Sequence, residues 1–263
     1  MAPASPPADG FITAAPNGPI QAEFRGLVAQ VSHRLSQQFP NLLDGLYLYG
    51  SVARGDAKAG TSDLDLTLVL QRPASAQEQA DLECLRQTLA AQHPEVLKID
   101  FDIGLRAEVL APEHRASWGY WLKHQCRCLW GNDLSTHFTP FKPSRTIAIA
   151  VNGDFASVLL GYADRIDGAG QSVDVPRWQR EAARKLIRST NLLRREQEQR
   201  WPASLEEHAE LFVEGYPAMA AASAFFLQHA RHSAAAVPGF SQRLREFTRW
   251  LQAAHQDPST APR

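Results

Sequence analysis

Two stretches of strict alternation constrain this chain more than any other feature of it. From Asp63 to Leu70, Leu64, Leu66 and Leu68 interleave with Asp63, Asp65 and Thr67. From 96 to 103, Leu97, Ile99, Phe101 and Ile103 interleave with Lys98, Asp100 and Asp102. A period of two sends alternate side chains to opposite faces, so each stretch reads as a half-buried β-strand with its acids on one face.

The surrounding residues supply helices for the apolar faces. Phe24, Leu27, Val28, Val31 and Leu35 fall at helical spacing over 20–38, and Pro40 with Asn41 stops that helix. Leu46 to Tyr49 is a short β-type run ending at Gly50-Ser51, the start of a short helix. Ser75 is placed to cap a helix over 75–92, with Leu82, Leu85 and Leu89 as its stripe. A helix over 112–124 and a strand over 127–130 complete this half. Beyond a turn-rich joint at Thr139–Ser144 only helical patterns occur, over 145–166, 176–198, 204–213, 217–231 and 239–254.

The expected organisation is a disordered tail over 1–19, an α+β domain over 20–140, an all-α bundle over 141–256 and a frayed tail over 257–263. Through residue 140 there are 11 basic and 15 acidic residues, a net of −4; beyond it the net is +3. An acidic mixed half followed by a basic helical half suggests two domains with a cleft between them.

Composition excludes several classes. A net charge of −1 gives no long nucleic-acid footprint. Three cysteines make no disulfide framework and fit a reducing compartment. The proline-rich start lacks a basic and an apolar signal region, and no uninterrupted apolar run nears 18 residues; the expectation is a cytoplasmic protein with no membrane partner.

The chemistry concentrates between Gly50 and Asp65. Asp63 and Asp65, at i and i+2 of a strand, hold two carboxylates a few ångströms apart, and a divalent cation relieves their repulsion. Mg²⁺ prefers such hard oxygen ligands together with substrate phosphates. The strand over 96–103 supplies a third carboxylate if it lies alongside, and three on adjacent strands can hold two metal ions for in-line displacement at phosphorus. Gly50 lets backbone approach an anion closely, and Ser51 adds a hydroxyl donor.

The string Gly50-Ser51-Val52-Ala53-Arg54-Gly55, followed by Ser62-Asp63-Leu64-Asp65-Leu66, resembles the signature of the DNA polymerase β-like nucleotidyltransferase superfamily. It is most similar to the minimal nucleotidyltransferases and the aminoglycoside adenylyltransferases, over about residues 20–130. The resemblance implies a mixed sheet with flanking helices, followed here by a helical bundle. It implies that Asp63 and Asp65 ligate metal, with Asp100, or Asp102 in its place, as third acid and acceptor of the hydroxyl proton. It implies that Gly50 and Ser51 contact the triphosphate of ATP. Two Mg²⁺ ions would then serve transfer of AMP to a hydroxyl with release of pyrophosphate. The acceptor is a small molecule such as an aminoglycoside; the alternatives are a protein acceptor, as in toxin–antitoxin nucleotidyltransferases, or a non-catalytic nucleotide sensor.

Further nucleotide-binding candidates are Arg54 at the glycine turn and Lys185 and Arg188 on a basic helix, whose face also carries Arg180 and Arg184. Trp178, Ala182, Leu186 and Ile187 form that helix's apolar stripe. Glu207, Glu210 and Glu214 make an acidic stripe suited to a cationic acceptor. Cys126 and Cys128 read as small packed hydrophobes. Trp118, Trp121 and Trp130 are expected to wedge the two domains together.

Overall fold

The computed structural model describes residues 9–14, 18–170, 172–231 and 235–257. They divide into two compact units, Phe11–Phe141 and, grouped with residues 9–10, the chain from Lys142 onward.

The first unit is built on a four-stranded sheet of β1 (Leu43–Tyr49), β2 (Leu64–Leu70), β3 (Ile99–Leu105) and β4 (Arg127–Gly131), in the order β3-β2-β1-β4. β1 is antiparallel to β2 and β4, while β2 and β3 are parallel. The short helix α2 (Gly50–Arg54) and a turn-rich loop carry the chain from β1 back along β2. A parallel neighbour needs a crossover, which α3 (Ala76–Gln92) provides. Helices α1 (Ala22–Gln38) and α3 cover one face. The space between is filled by Phe24, Leu27, Val31 and Leu35 of α1 and Leu82, Leu85 and Leu89 of α3, packed on Leu46, Leu48, Leu64, Leu66, Leu68 and Ile99.

Ser75 caps α3 as its sequence position requires. Its hydroxyl accepts from the Glu78 amide at 3.2 Å, and the Glu78 carboxylate accepts from the Ser75 amide at 2.8 Å. Ser75→Ala is expected to lower unfolding stability by about 1 kcal/mol, read as a shift in the urea midpoint with an unchanged slope.

The opposite face is covered by residues 106–138. Tyr47 and Val69 from the sheet pack with Val109, Leu122, Cys126 and Leu134. After α4 (Arg106–Val109), the helix expected over 112–124 forms as one run whose winding changes along it: a 3₁₀ turn at Pro112–His114, a wider turn at Arg115–Gly119 and α5 (Tyr120–His124). Gly119 keeps helical angles, φ −61° and ψ −48°, with the Phe138 ring so close that a Cβ would come within 2.9 Å of it. The buried Asp44 carboxylate accepts from Arg106 Nη1 at 2.9 and 3.0 Å and from Asn132 Nδ2 at 2.8 Å, tying β1 to the ends of β3 and β4. β1 begins at Leu43, earlier than the run at 46–49, because burial of both its faces removes the alternation that would mark its start.

The described part of the tail expected over 1–19 is mostly exposed but is anchored to the first unit. Ile12 is buried and its amide donates to the Phe141 carbonyl at 2.8 Å; Arg127 donates to the Gly18 carbonyl at 2.7 Å. Residues 1–8 and 15–17 of that tail, and 258–263 of the C-terminal one, lie outside the described residues.

The second unit is helical: α6 (Arg145–Asn152), α7 (Phe155–Gly168), α8 (Val175–Ser189), α9 (Leu205–Gly215), α10 (Ala220–Arg231) and α11 (Phe240–Gln256). Its core joins Phe155, Leu159 and Ala163 to Trp178, Ala182, Leu186 and Ile187, with Phe212, Phe226, Phe240, Phe247 and Leu251. The stretch Arg145–Gly168 is long and apolar enough to cross a membrane by length and composition, although its apolar residues do not form an uninterrupted run. It is interrupted at Gly153-Asp154, and α7 turns Phe155, Leu159, Ala163 and Ile166 into the bundle core. α8 stops at Ser189, short of the expected 198. A 3₁₀ turn over Thr190–Leu193 follows, and beyond it the Arg194 guanidinium donates to the carbonyls of Glu198 at 2.5 Å and Arg200 at 3.3 Å.

One buried group makes this unit acid-sensitive. Burial, together with Arg188 and Arg194, pushes the His208 imidazole down to about 3. The unfolded chain then binds a proton near pH 6.5 that the folded chain refuses, so stability is complete above that pH and is lost as pH falls toward 3. At pH 5 this one group is expected to cost about 2 kcal/mol relative to pH 7.5, and His208→Gln should flatten the dependence of the urea midpoint over that window.

Candidate active site

The pairing register decides which acids meet. Across parallel β2 and β3, Asp65 is matched with Asp100 and Thr67 with Asp102; across antiparallel β1 and β2, Tyr49 is matched with Asp65. Matched residues project from one face. Tyr49, Asp65 and Asp100 therefore form a row across three strands, with Asp102 one step further along β3. Asp63 lies just before β2, two residues from Asp65 and on its side of the chain.

Gly50 closes the other flank. It holds φ at +75°, and a Cβ built on it would lie 2.0 Å from Asp65 Oδ2. The Asp65 carboxylate thus rests on the bare Cα of Gly50, at the start of α2. Both the backbone conformation and the missing side chain are required, and only glycine supplies both.

Two side chains not singled out from the sequence organise the acids. Lys98 Nζ lies 2.7 Å from Asp100 Oδ2 and 3.9 Å from Asp63 Oδ2. The Tyr49 hydroxyl donates to Asp102 Oδ2 at 2.6 Å. Burial raises the Tyr49 phenol far above its ordinary value, and the adjoining Asp102 carboxylate raises it further, so it remains a donor. The edge of the Tyr49 ring meets Trp121 at 4.8 Å, and Trp121 Nε1 donates to Thr67 Oγ1 at 3.0 Å. Trp118 lies against Gly104 of β3, where a Cβ would come within 2.7 Å. Trp118 and Trp121 therefore form a wall on the polar face of the sheet. The alternation that located Asp100 also held Lys98 at i−2, and Tyr49 directly precedes Gly50; the signals were present, but a lysine and a tyrosine at a strand end are common on any surface.

The other sequence candidates are placed as follows. Ser51 is half-buried in the first turn of α2, and Arg54, exposed at its end, pairs with Asp56 at 3.3 Å. Lys185 pairs with Asp154 at 2.7 Å inside the helical unit, and Arg188 is exposed on α8. The acidic stripe is divided: Glu207 caps α9 with Ser204, and Glu214 pairs with Arg200 at 2.7 Å. Burial raises the Cys126 and Cys128 thiols, the latter to about 11, so both stay protonated.

Among the described residues, no three carboxyl, imidazole or thiol groups close on a common point as a metal cage would. The expected closed cage is corrected to an open row: Asp100 is drawn to Lys98 and Asp102 to Tyr49, since carboxylates this near repel unless a cation or donor separates them. In donor chemistry the row nonetheless fits Mg²⁺. Asp63, Asp65 and Asp100 offer only hard oxygen, two of them matched across neighbouring strands, and a cationic group already lies between Asp63 and Asp100.

Residues 28–115 match the family model described as a nucleotidyltransferase domain. The match spans β1, the Gly50 turn, both acidic strands and the crossover between them. No curated protein matches. Among solved structures, the chain is similar to spectinomycin adenyltransferase AAD(9) from Enterococcus faecialis, crystallised with ATP and spectinomycin. The TM-score is 0.52 at 13% identity, covering 88% of this chain and 99% of that one. At that identity the likeness concerns the fold, and it extends across the mixed sheet and the helical region alike. Residues 28–115 thus match a nucleotidyltransferase domain, and the fold around them is that of AAD(9).

Proposed function

We propose that the chain transfers AMP from ATP to a hydroxyl group of a small molecule, with an aminoglycoside-like compound as the class of acceptor. The observation that carries the reading is the Asp65–Asp100 match beside Gly50: two acids on neighbouring strands, with a bare backbone turn against one of them. That combination holds cationic charge and admits a phosphate chain at the same edge.

Asp63, Asp65 and Asp100 would hold Mg²⁺, which when bound supplies Lewis-acid stabilisation of the charge that develops at phosphorus and on the departing pyrophosphate. The chain's own groups do the rest. Gly50 gives the triphosphate access to the backbone amides of α2, and Ser51 adds its hydroxyl. Asp100 takes the proton of the acceptor hydroxyl. The freed oxygen bonds to the α-phosphorus as the bond from that phosphorus to the bridging oxygen breaks, and pyrophosphate carries off the electron pair. The register that matches Asp100 with Asp65, and leaves Asp102 one step further along β3, supports Asp100 for the proton. A small acceptor is supported by AAD(9), whose structure holds spectinomycin beside ATP.

The test is a screen of the full chain with Mg²⁺, each nucleoside triphosphate and a panel of hydroxylated aminoglycosides, followed by pyrophosphate and product mass. ATP-dependent pyrophosphate with an AMP adduct on a small molecule is expected. An adduct on protein would replace the acceptor class, and no pyrophosphate with any triphosphate would overturn the reading.

A further inference from the structure

We propose that Lys98 is the resident counter-ion of the carboxylate row: its ammonium neutralises Asp63 and Asp100 in the metal-free chain and competes with a divalent cation for them. The inference rests on the metal-binding reading above and concerns what precedes metal entry. Lys98 stands immediately before β3, and its carbonyl accepts from the Leu64 amide at 3.0 Å, so its backbone is pinned beside Asp63. From there the ammonium reaches Asp100 at 2.7 Å while remaining 3.9 Å from Asp63. About a third of the lysine side chain is exposed, 31%, against 23% for Asp63 and 38% for Asp100, so the cluster is half-screened and the charges act on one another. The other cation near Asp100, Arg86, is bound to Glu83 and to the Ile99 carbonyl on the crossover side. Lys98 is therefore the group a metal must displace.

The consequence is selective loading. A bare cation must break the lysine contacts to gain the carboxylates. A metal–triphosphate complex brings negative charge that gives the displaced ammonium a new partner, so the site favours the complex over the metal alone.

The test uses Mn²⁺ as the probe, titrated by calorimetry and by its paramagnetic resonance into the full chain after chelator treatment and desalting. Lys98→Met is expected to bind Mn²⁺ about fivefold more tightly than the natural chain, and Lys98→Arg to stay close to it. The metal-free Lys98→Met chain should melt lower, and Mn²⁺ should recover the difference. Should Lys98→Met not fold, Lys98→Gln carries the same expectation, with folding checked by circular dichroism. Unchanged or weaker Mn²⁺ binding in the neutral variant overturns the proposal. Asp65→Asn separates the two failures. If it leaves Mn²⁺ binding intact, the metal reading itself is wrong; if binding depends on Asp65 and ignores Lys98, only the counter-ion role falls.

Discussion

Gly50→Ala should lower nucleotidyl transfer about a hundredfold while the chain still folds. The new methyl group would need the space of the Asp65 carboxylate, 2.0 Å from its Oδ2, and alanine resists the φ of +75° that the turn adopts. The turn or the carboxylate must then move, by about the ångström that separates productive from unproductive geometry. The stability cost should be modest, about 1–2 kcal/mol for one residue in the left-handed region. Pyrophosphate release alongside far-ultraviolet circular dichroism checks both halves. An alanine variant as active as the natural chain would show that the Asp65 carboxylate does not need its place against the turn.

Asp65→Asn should be the more severe change, about a thousandfold or more in rate, with the melting temperature within a few degrees of the natural chain. Asparagine keeps the shape and removes the charge that cation binding and transition-state stabilisation need. Asp63→Asn and Asp100→Asn should fall in the same direction. Asp102→Asn should be milder, because Asp102 already accepts from the Tyr49 hydroxyl at 2.6 Å and lies one step beyond the row. Equal losses at Asp100 and Asp102 would mean that both strand positions serve the reaction.

Much of the first unit was legible because its elements alternate cleanly or carry explicit punctuation. Leu64, Leu66 and Leu68 are buried and Asp65 is not; Ser75 caps α3 as its spacing from Glu78 implies. Legibility ended where tertiary contacts outvote local pattern. The segment 112–124 is helical as its composition implies, but its change from 3₁₀ to wider to α winding is not encoded in its local pattern. Beyond α8 the chain tightens into a 3₁₀ turn and Arg194 then reaches the carbonyls of Glu198 and Arg200, contacts that no local propensity encodes. At the site, period two assigned the acids to a face, but the parallel register that matches Asp65 with Asp100 belongs to the fold and is invisible in either strand alone. The partners that separate the acids, Lys98 two residues before Asp100 and Tyr49 at the end of β1, carry no local pattern that distinguishes them from ordinary surface residues.

The most direct measurement follows the phosphorus. The full chain is incubated with Mg²⁺ and ATP labelled in parallel at the α- and the γ-phosphate, with an acceptor that supports pyrophosphate release, for the natural chain and Asp65→Asn. The α-label should appear on the acceptor and the γ-label in pyrophosphate, and both transfers should vanish in Asp65→Asn. A γ-label on the acceptor, or an α-label transferred equally well without the Asp65 carboxylate, would contradict nucleotidyl transfer by the acidic row.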